Sequence, residues 1–89
     1  MAKDFKLTVI SPEKKLYEGR VFSLVVPAAL GYLGVLADHA PLVASLVRGK
    51  IMIKDISGGS PSFPVQCKGF LEVKNNNVTI ILDRVSSVC

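Results

Sequence analysis

The chain has 89 residues, 49% of them apolar and 20% charged, with a formal net charge of +4. That length supports one domain with one modest core and leaves little room for a deep substrate pocket, and the apolar share excludes a disordered chain. No apolar run approaches the ~20 residues of a membrane helix, and "MAKDFKLTV" lacks the apolar region of a secretion signal, so the cytosol is the default compartment.

The dominant period along the chain is two. In "FKLTVI", Phe5, Leu7 and Val9 share one face and Lys6 and Thr8 the other, the pattern of a strand with one buried side. "SPEKK" follows as a turn, with Pro12 fixing φ. "RVFSLVVP" is a β-branched run closed by Pro27, in which Val21 and Val25 oppose Phe22, Leu24 and Val26. Gly31, Gly34, Gly58 and Gly59 read as turn residues with positive φ or as points of close backbone approach. "GKIMIKD" sets Ile51 and Ile53 against Lys50, Met52 and Lys54, and "SGGSPS" is a loop by composition. "FPVQC" groups Phe63, Val65 and Cys67, and Pro64 there suits an edge strand. "FLEVK", the turn "NNN" and "VTIILD" form a hairpin. No segment holds a convincing helical period. Short strands with turn signals at intervals of roughly ten residues predict an all-β sandwich or barrel, in one domain over residues 1–89.

Several strands are apolar on both faces. Ile81 lies opposite Val78, Ile80 and Leu82, and Phe70 shares a face with Glu72 and Lys74. A small antiparallel sandwich needs one apolar face per sheet. The surplus either covers the edge of a second sheet or meets a partner protein.

Residues capable of chemistry are sparse. His39 is the only histidine, and Asp38, its neighbour, points away from it in an extended segment. No nucleophile–base–acid arrangement is legible around it, and one His and two Cys give no metal-ligand spacing. The glycines fit neither a Walker loop nor a dinucleotide fingerprint. Two widely spaced cysteines, Cys67 and Cys89, make no disulfide framework, and Cys67 reads as a small buried hydrophobe. Asp4, Glu13, Glu18, Asp38, Asp55, Glu72 and Asp83 form no acid/base pair. "KGFLEV" matches half of an RNA-recognition signature but puts Glu72 near the place of the second aromatic. Lys3, Lys6, Lys14 and Lys15 cluster near the N-terminus as a solvated surface, which would also suit anionic headgroups. The residues therefore argue against an enzyme and predict no cofactor and no metal. The alternative they leave open is a free-standing basic β-barrel that binds nucleic acid.

Taken in order, the motifs resemble the N-terminal domain of the epsilon subunit family of F-type ATP synthases. The resemblance rests on "LTVISPEKKLYEG", the "VVP" that closes the next strand, "GVLADHAPL" from Gly34 to Leu42, Gly49, and "GFLEV" followed by "VTI". It covers nearly the whole chain. It implies an antiparallel β-sandwich or flattened barrel of about ten strands. It further implies a non-catalytic rotor component that links the gamma subunit of the central stalk to the membrane c-ring. In that role the domain couples proton-driven rotation to ATP synthesis. Its place would be peripheral, on the cytoplasmic face of the bacterial inner membrane, with no nucleic-acid partner. The resemblance puts Gly31, Tyr32, Leu33, Gly34 and His39 in a ring-facing loop and Ala40, Pro41, Leu42, Val43 and Ala44 on the gamma side. Three departures stand out. Tyr32 occupies a place where the family often has Glu, and Arg84, Val85 and Ser86 replace a small residue followed by an acid. The sequence ends at Cys89, before the family's C-terminal helical hairpin, so the expectation is coupling without that inhibitory arm.

Overall fold

Alternation along the chain builds the wall of the fold directly. The structure, a computed structural model, describes residues 3–82; Asp83, Arg84, Val85, Ser86 and Cys89 lie outside them. Its elements are β1 (Phe5–Ile10), β2 (Lys15–Ala28), β3 (Gly31–Leu36), β4 (Leu42–Asp55), β5 (Ser62–Lys74) and β6 (Asn77–Leu82). In β1, Phe5, Leu7 and Val9 are buried. In β6, Val78, Ile80 and Leu82 are buried while Ile81 is 46% exposed. In β4, Ile51 and Ile53 point inward between the exposed Lys50, Met52 and Lys54. Each fully buried side chain of this kind contributes about 1.5–3 kcal/mol. No polar or charged side chain is buried among the described residues.

The strand order is β1-β6-β5-β4-β2-β3, and a further β1–β2 pairing closes the first five into a barrel. β3 lies outside the ring, paired to the far half of β2 from Ser23 to Ala28. The all-β expectation holds, but the count of ten does not: six strands are present, three of them 13 or 14 residues long. Residues that read as strand ends lie inside strands. Pro27 is within β2, and Gly49 sits in β4 where the pairing with β5 shifts register after Val47. A Cβ on Gly49 would stand 2.6 Å from Pro27 Cβ, so glycine lets β2 and β4 approach at this bend. A second correction concerns strand direction. β1 and β6 pair in parallel, from Lys6↔Asn77 to Ile10↔Ile81, so the wall is not wholly antiparallel.

Bulges also reset two of the expected faces. Phe22 is an extra residue between the pairs Val21↔Asp55 and Ser23↔Lys54. It turns outward, and Val21, Leu24 and Val26 are all buried, so Val21 and Val25 do not share a face. On β5, Gln66 and Cys67 stand opposite the single residue Arg48. Cys67 is therefore half-buried, not buried, and it is disulfide-bonded rather than a free apolar thiol. Pro64 does lie where β5 has only β4 beside it among the described residues, as an edge proline requires. Of the four glycines read as turns, Gly31 and Gly58 have positive φ (126° and 94°). Gly34 is an ordinary residue of β3.

Gly69 gives a sharp test of this packing. It pairs with Leu46 on one side and Leu82 on the other, and a Cβ there would lie 2.8 Å from the backbone carbonyl oxygen of Ile81. Backbone cannot give way as a side-chain tip can, so Gly69→Ala should destabilise the domain by about 1–3 kcal/mol in denaturant unfolding. Gly34→Ala, which meets nothing within 4 Å, should change stability by less than about 1 kcal/mol.

Candidate docking surface

Residues 37–41 link β3 to β4 and hold His39. Asp38 adopts φ 64°, a left-handed conformation that Asp tolerates better than most residues. Two side chains fix it there. The Asp38 backbone N–H donates to Asn76 Oδ1 at 2.6 Å, Asn76 Nδ2 donates to Asp38 Oδ1 at 3.0 Å, and Lys3 Nζ pairs with Asp38 Oδ2 at 2.9 Å. Asn76 is itself one of the two tip residues of the β5–β6 hairpin, with Asn75 and Asn76 at φ 50° and 59°, as a tight hairpin turn demands. The Asn76 carbonyl also accepts from the Lys6 N–H at 3.0 Å. A single clasp thus ties the β3–β4 loop, the β5–β6 turn and the start of β1 together. These contacts hold the Asp38 carboxyl below its ordinary pKa, through the Asn76 hydrogen bond first and Lys3 second.

His39 takes no part in acid–base geometry. Its Nδ1 lies 2.8 Å from the carbonyl oxygen of Ala40, the next residue, to which it donates as the Nδ1–H tautomer. The Asp38 carboxylate is already engaged by Asn76 and Lys3. No group of three or more His, Cys, Asp or Glu that could hold a metal ion occurs among the described residues.

The segment from Gly31 to Gly34 is a strand, not a loop; the turn before it is Ala29-Leu30. Tyr32 pairs with Pro27, is 61% exposed, and its hydroxyl comes within 3.1 Å of the place a Gly49 Cβ would occupy. Leu33 faces the core instead. Gly31 and Leu36 stand at opposite ends of β3, five residue steps or about 17 Å apart. His39 follows the Leu36 end, so the structure separates it from Gly31 and Tyr32. It brings His39 together with Ala40, Pro41 and Val43. Within that second group, Leu42 and Ala44 pack against the core, while Ala40, Pro41 and Val43 are exposed.

The larger feature is an outward apolar face that the motif positions alone do not mark. On β4, β5 and β6 the outward residues fall into register: Ser45↔Phe70↔Ile81, with Ile10 of β1 beside Ile81. Val43 and Val47 flank this row on β4. Val43 is 71% exposed, Phe70 51%, Ile81 46% and Val47 40%, too many large apolar groups in one place to be scattered surface residues. Glu72, opposite Val43, sits on the same face as Phe70 and places a negative charge beside the half-signature "KGFLEV". The signal in the sequence was the apolar character of both faces of these strands.

A family model described as the β-sandwich domain of the ATP synthase delta/epsilon chain matches residues 4–88. The chain belongs to this ATP synthase delta/epsilon family. It is 45% identical over 83 residues to the ATP synthase epsilon chain of Leptospira interrogans, a match that covers 92% of this chain and 63% of that one. The epsilon chain of Chlorobium limicola is 33% identical over 84 residues, covering 94% of each. Among solved structures, a chain of the Euglena gracilis mitochondrial ATP synthase, solved as OSCP/F1/c-ring, superimposes with a TM-score of 0.82. At 22% identity, covering 89% of this chain and 50% of that one, it is similar in fold. The delta/epsilon match bears out the resemblance carried by "GVLADHAPL" and "GFLEV".

The clasp has a pH signature of definite sign. The folded-state pKa of Asp38 is depressed, so its contribution to stability is present above the unfolded value and is lost as pH falls through the folded one. NMR titration should give an Asp38 carboxyl midpoint below 3.8, the ordinary value. Asp38→Asn, which keeps the left-handed turn but loses the Lys3 pair, should flatten the acid limb of the melting-temperature profile. A midpoint at or above 3.8, or an unchanged limb, would show that the clasp is not formed in solution.

Proposed function

We propose that this domain is a component of the rotor of an F-type ATP synthase, fastening the gamma subunit of the central stalk to the c-ring. In this reading its part in coupling proton-driven rotation to ATP synthesis is mechanical and not catalytic. It works at the cytoplasmic face of the bacterial inner membrane, as a peripheral element of the complex. Family membership supports the assignment to the synthase. The observation that carries the docking role is the outward face of Val43, Val47, Phe70 and Ile81 on a closed barrel.

The physical argument is one of stiffness and area. Torque passes between two bodies without slip only if each is rigid and their contact is broad. A closed hydrogen-bonded wall meets the first need, and an apolar face with aromatic and branched side chains meets the second. We assign that face, with the exposed Ala40 and Pro41 at its border, to gamma. The β2–β3 hairpin with Tyr32 is assigned to the end nearest the ring. His39 goes with the gamma-side group, as a residue that fixes its own loop.

Phe70→Asp and Ile81→Asp test the assignment, because both side chains are exposed and both changes leave the core intact. Each should weaken co-purification with the cognate gamma subunit by about 30-fold or more, as loss of an interface hot spot does. The circular dichroism spectrum should stay as in the parent chain. Full gamma binding by the double variant would overturn the assignment.

A further inference from the structure

One carboxylate on the outward apolar face has nothing to pair with. Of the described acids, Asp4 pairs with Arg20, Glu18 with Lys6 and Lys15, and Asp38 with Lys3. Asp55 accepts hydrogen bonds from the N–H groups of Ser57 and Gly59. Glu13 lies exposed in the turn after β1. Glu72 forms no ion pair among the described residues. It also stands inside the apolar face, not at its rim. Val43 is opposite it on β4 and Thr79 on β6, and Phe70 precedes it by two residues, about 7 Å along β5.

In the isolated chain water solvates this exposed carboxylate. A partner that covers Val43, Phe70 and Ile81 strips that water away. Left unpaired in the contact, the charge would oppose docking; met by a cation of the partner, it becomes an anchor. A second copy docked through the same face would set carboxylate against carboxylate, so it does not supply the cation. The surroundings select the kind of cation. Phe70, 51% exposed, presents an aromatic ring beside the carboxylate. Lys74 lies on the other side, where it lines a groove of about 390 Å³ with Pro41 and Val43, and it repels a cation from that direction. The open approach is therefore over Phe70. A planar guanidinium can stack on the ring and fork onto both carboxylate oxygens, whereas a lysine ammonium is a point charge and cannot do both.

We infer that Phe70 and Glu72 form the seat of one arginine of the gamma subunit: its guanidinium stacks on the Phe70 ring and donates two hydrogen bonds to the Glu72 carboxylate. The inference rests on the assignment of this face to gamma and adds the chemistry of the contact.

Binding of the full chain to synthase depleted of it reads the seat. Glu72→Gln should weaken binding about 30-fold or more, as loss of one partner of a buried charge pair does, and Glu72→Lys should abolish it. In the assembled complex one gamma arginine should be protected from phenylglyoxal, and it should be labelled faster when the Glu72→Gln chain takes the place of the parent. Exchanging that arginine for glutamate should restore binding of the Glu72→Arg variant. Ile81→Asp separates this inference from the gamma assignment. Weak binding by Ile81→Asp with full binding by Glu72→Gln would overturn the arginine seat and leave the assignment standing. Full binding by both would overturn both. A complex in which no gamma arginine is protected would also overturn the seat.

Discussion

β1 is the strand on which the rest of the barrel depends. It pairs antiparallel with β2, from Phe5↔Val21 onward, and in parallel with β6, from Lys6↔Asn77. Without it, β6 and the first half of β2 would be open edges, and Val21, Val78 and Ile80 would lose Leu7 and Val9 from their shared interior. Pairing between the first and last described strands closes a long loop and carries the matching entropic cost. The clasp of Lys3, Asp38 and Asn76 sits where this closure begins. It reinforces the seam with exposed polar contacts, each worth little alone, but together bridging three segments far apart in sequence.

Closure also explains why one small domain can present unlike surfaces without distortion. The outward row of Phe70 and Ile81 lies on β5 and β6, in the middle of the ring. The apolar hairpin tip lies where β2 runs past its last pairing with β4, at Ala28↔Leu46. β3 is held by β2 alone among the described residues, so the hairpin projects from a wall that is complete without it. The outward row and the hairpin therefore draw on different parts of the fold, and a change in one need not disturb the other.

Much of this was legible in the sequence because the period-two pattern is strong. The inward sets of β1 and β6, the Ile51–Ile53 pair, the Asn-rich hairpin turn and the surplus of apolar residues on two faces all follow from alternation and turn chemistry. What alternation cannot carry is pairing. The parallel β1–β6 contact leaves no mark in either strand, since each buries one face whichever direction its neighbour runs. Glycine and proline misled for a related reason. Gly49 and Pro27 serve close approach and bending inside long strands, and in a sequence they look the same as strand ends. The family resemblance groups Tyr32 and His39 in one ring-facing loop. β3 is an extended strand, and it carries them to opposite ends.

The central claim is that the face of Val43, Phe70 and Ile81 meets the stalk. A photo-crosslinking residue placed at Phe70 in the assembled synthase tests it most directly, with Lys14 in the turn after β1 as the control position. The account predicts a crosslink to the gamma subunit from Phe70 and none from Lys14. A gamma crosslink from Lys14 with none from Phe70 would contradict it, and would place the docking surface on the other side of the barrel.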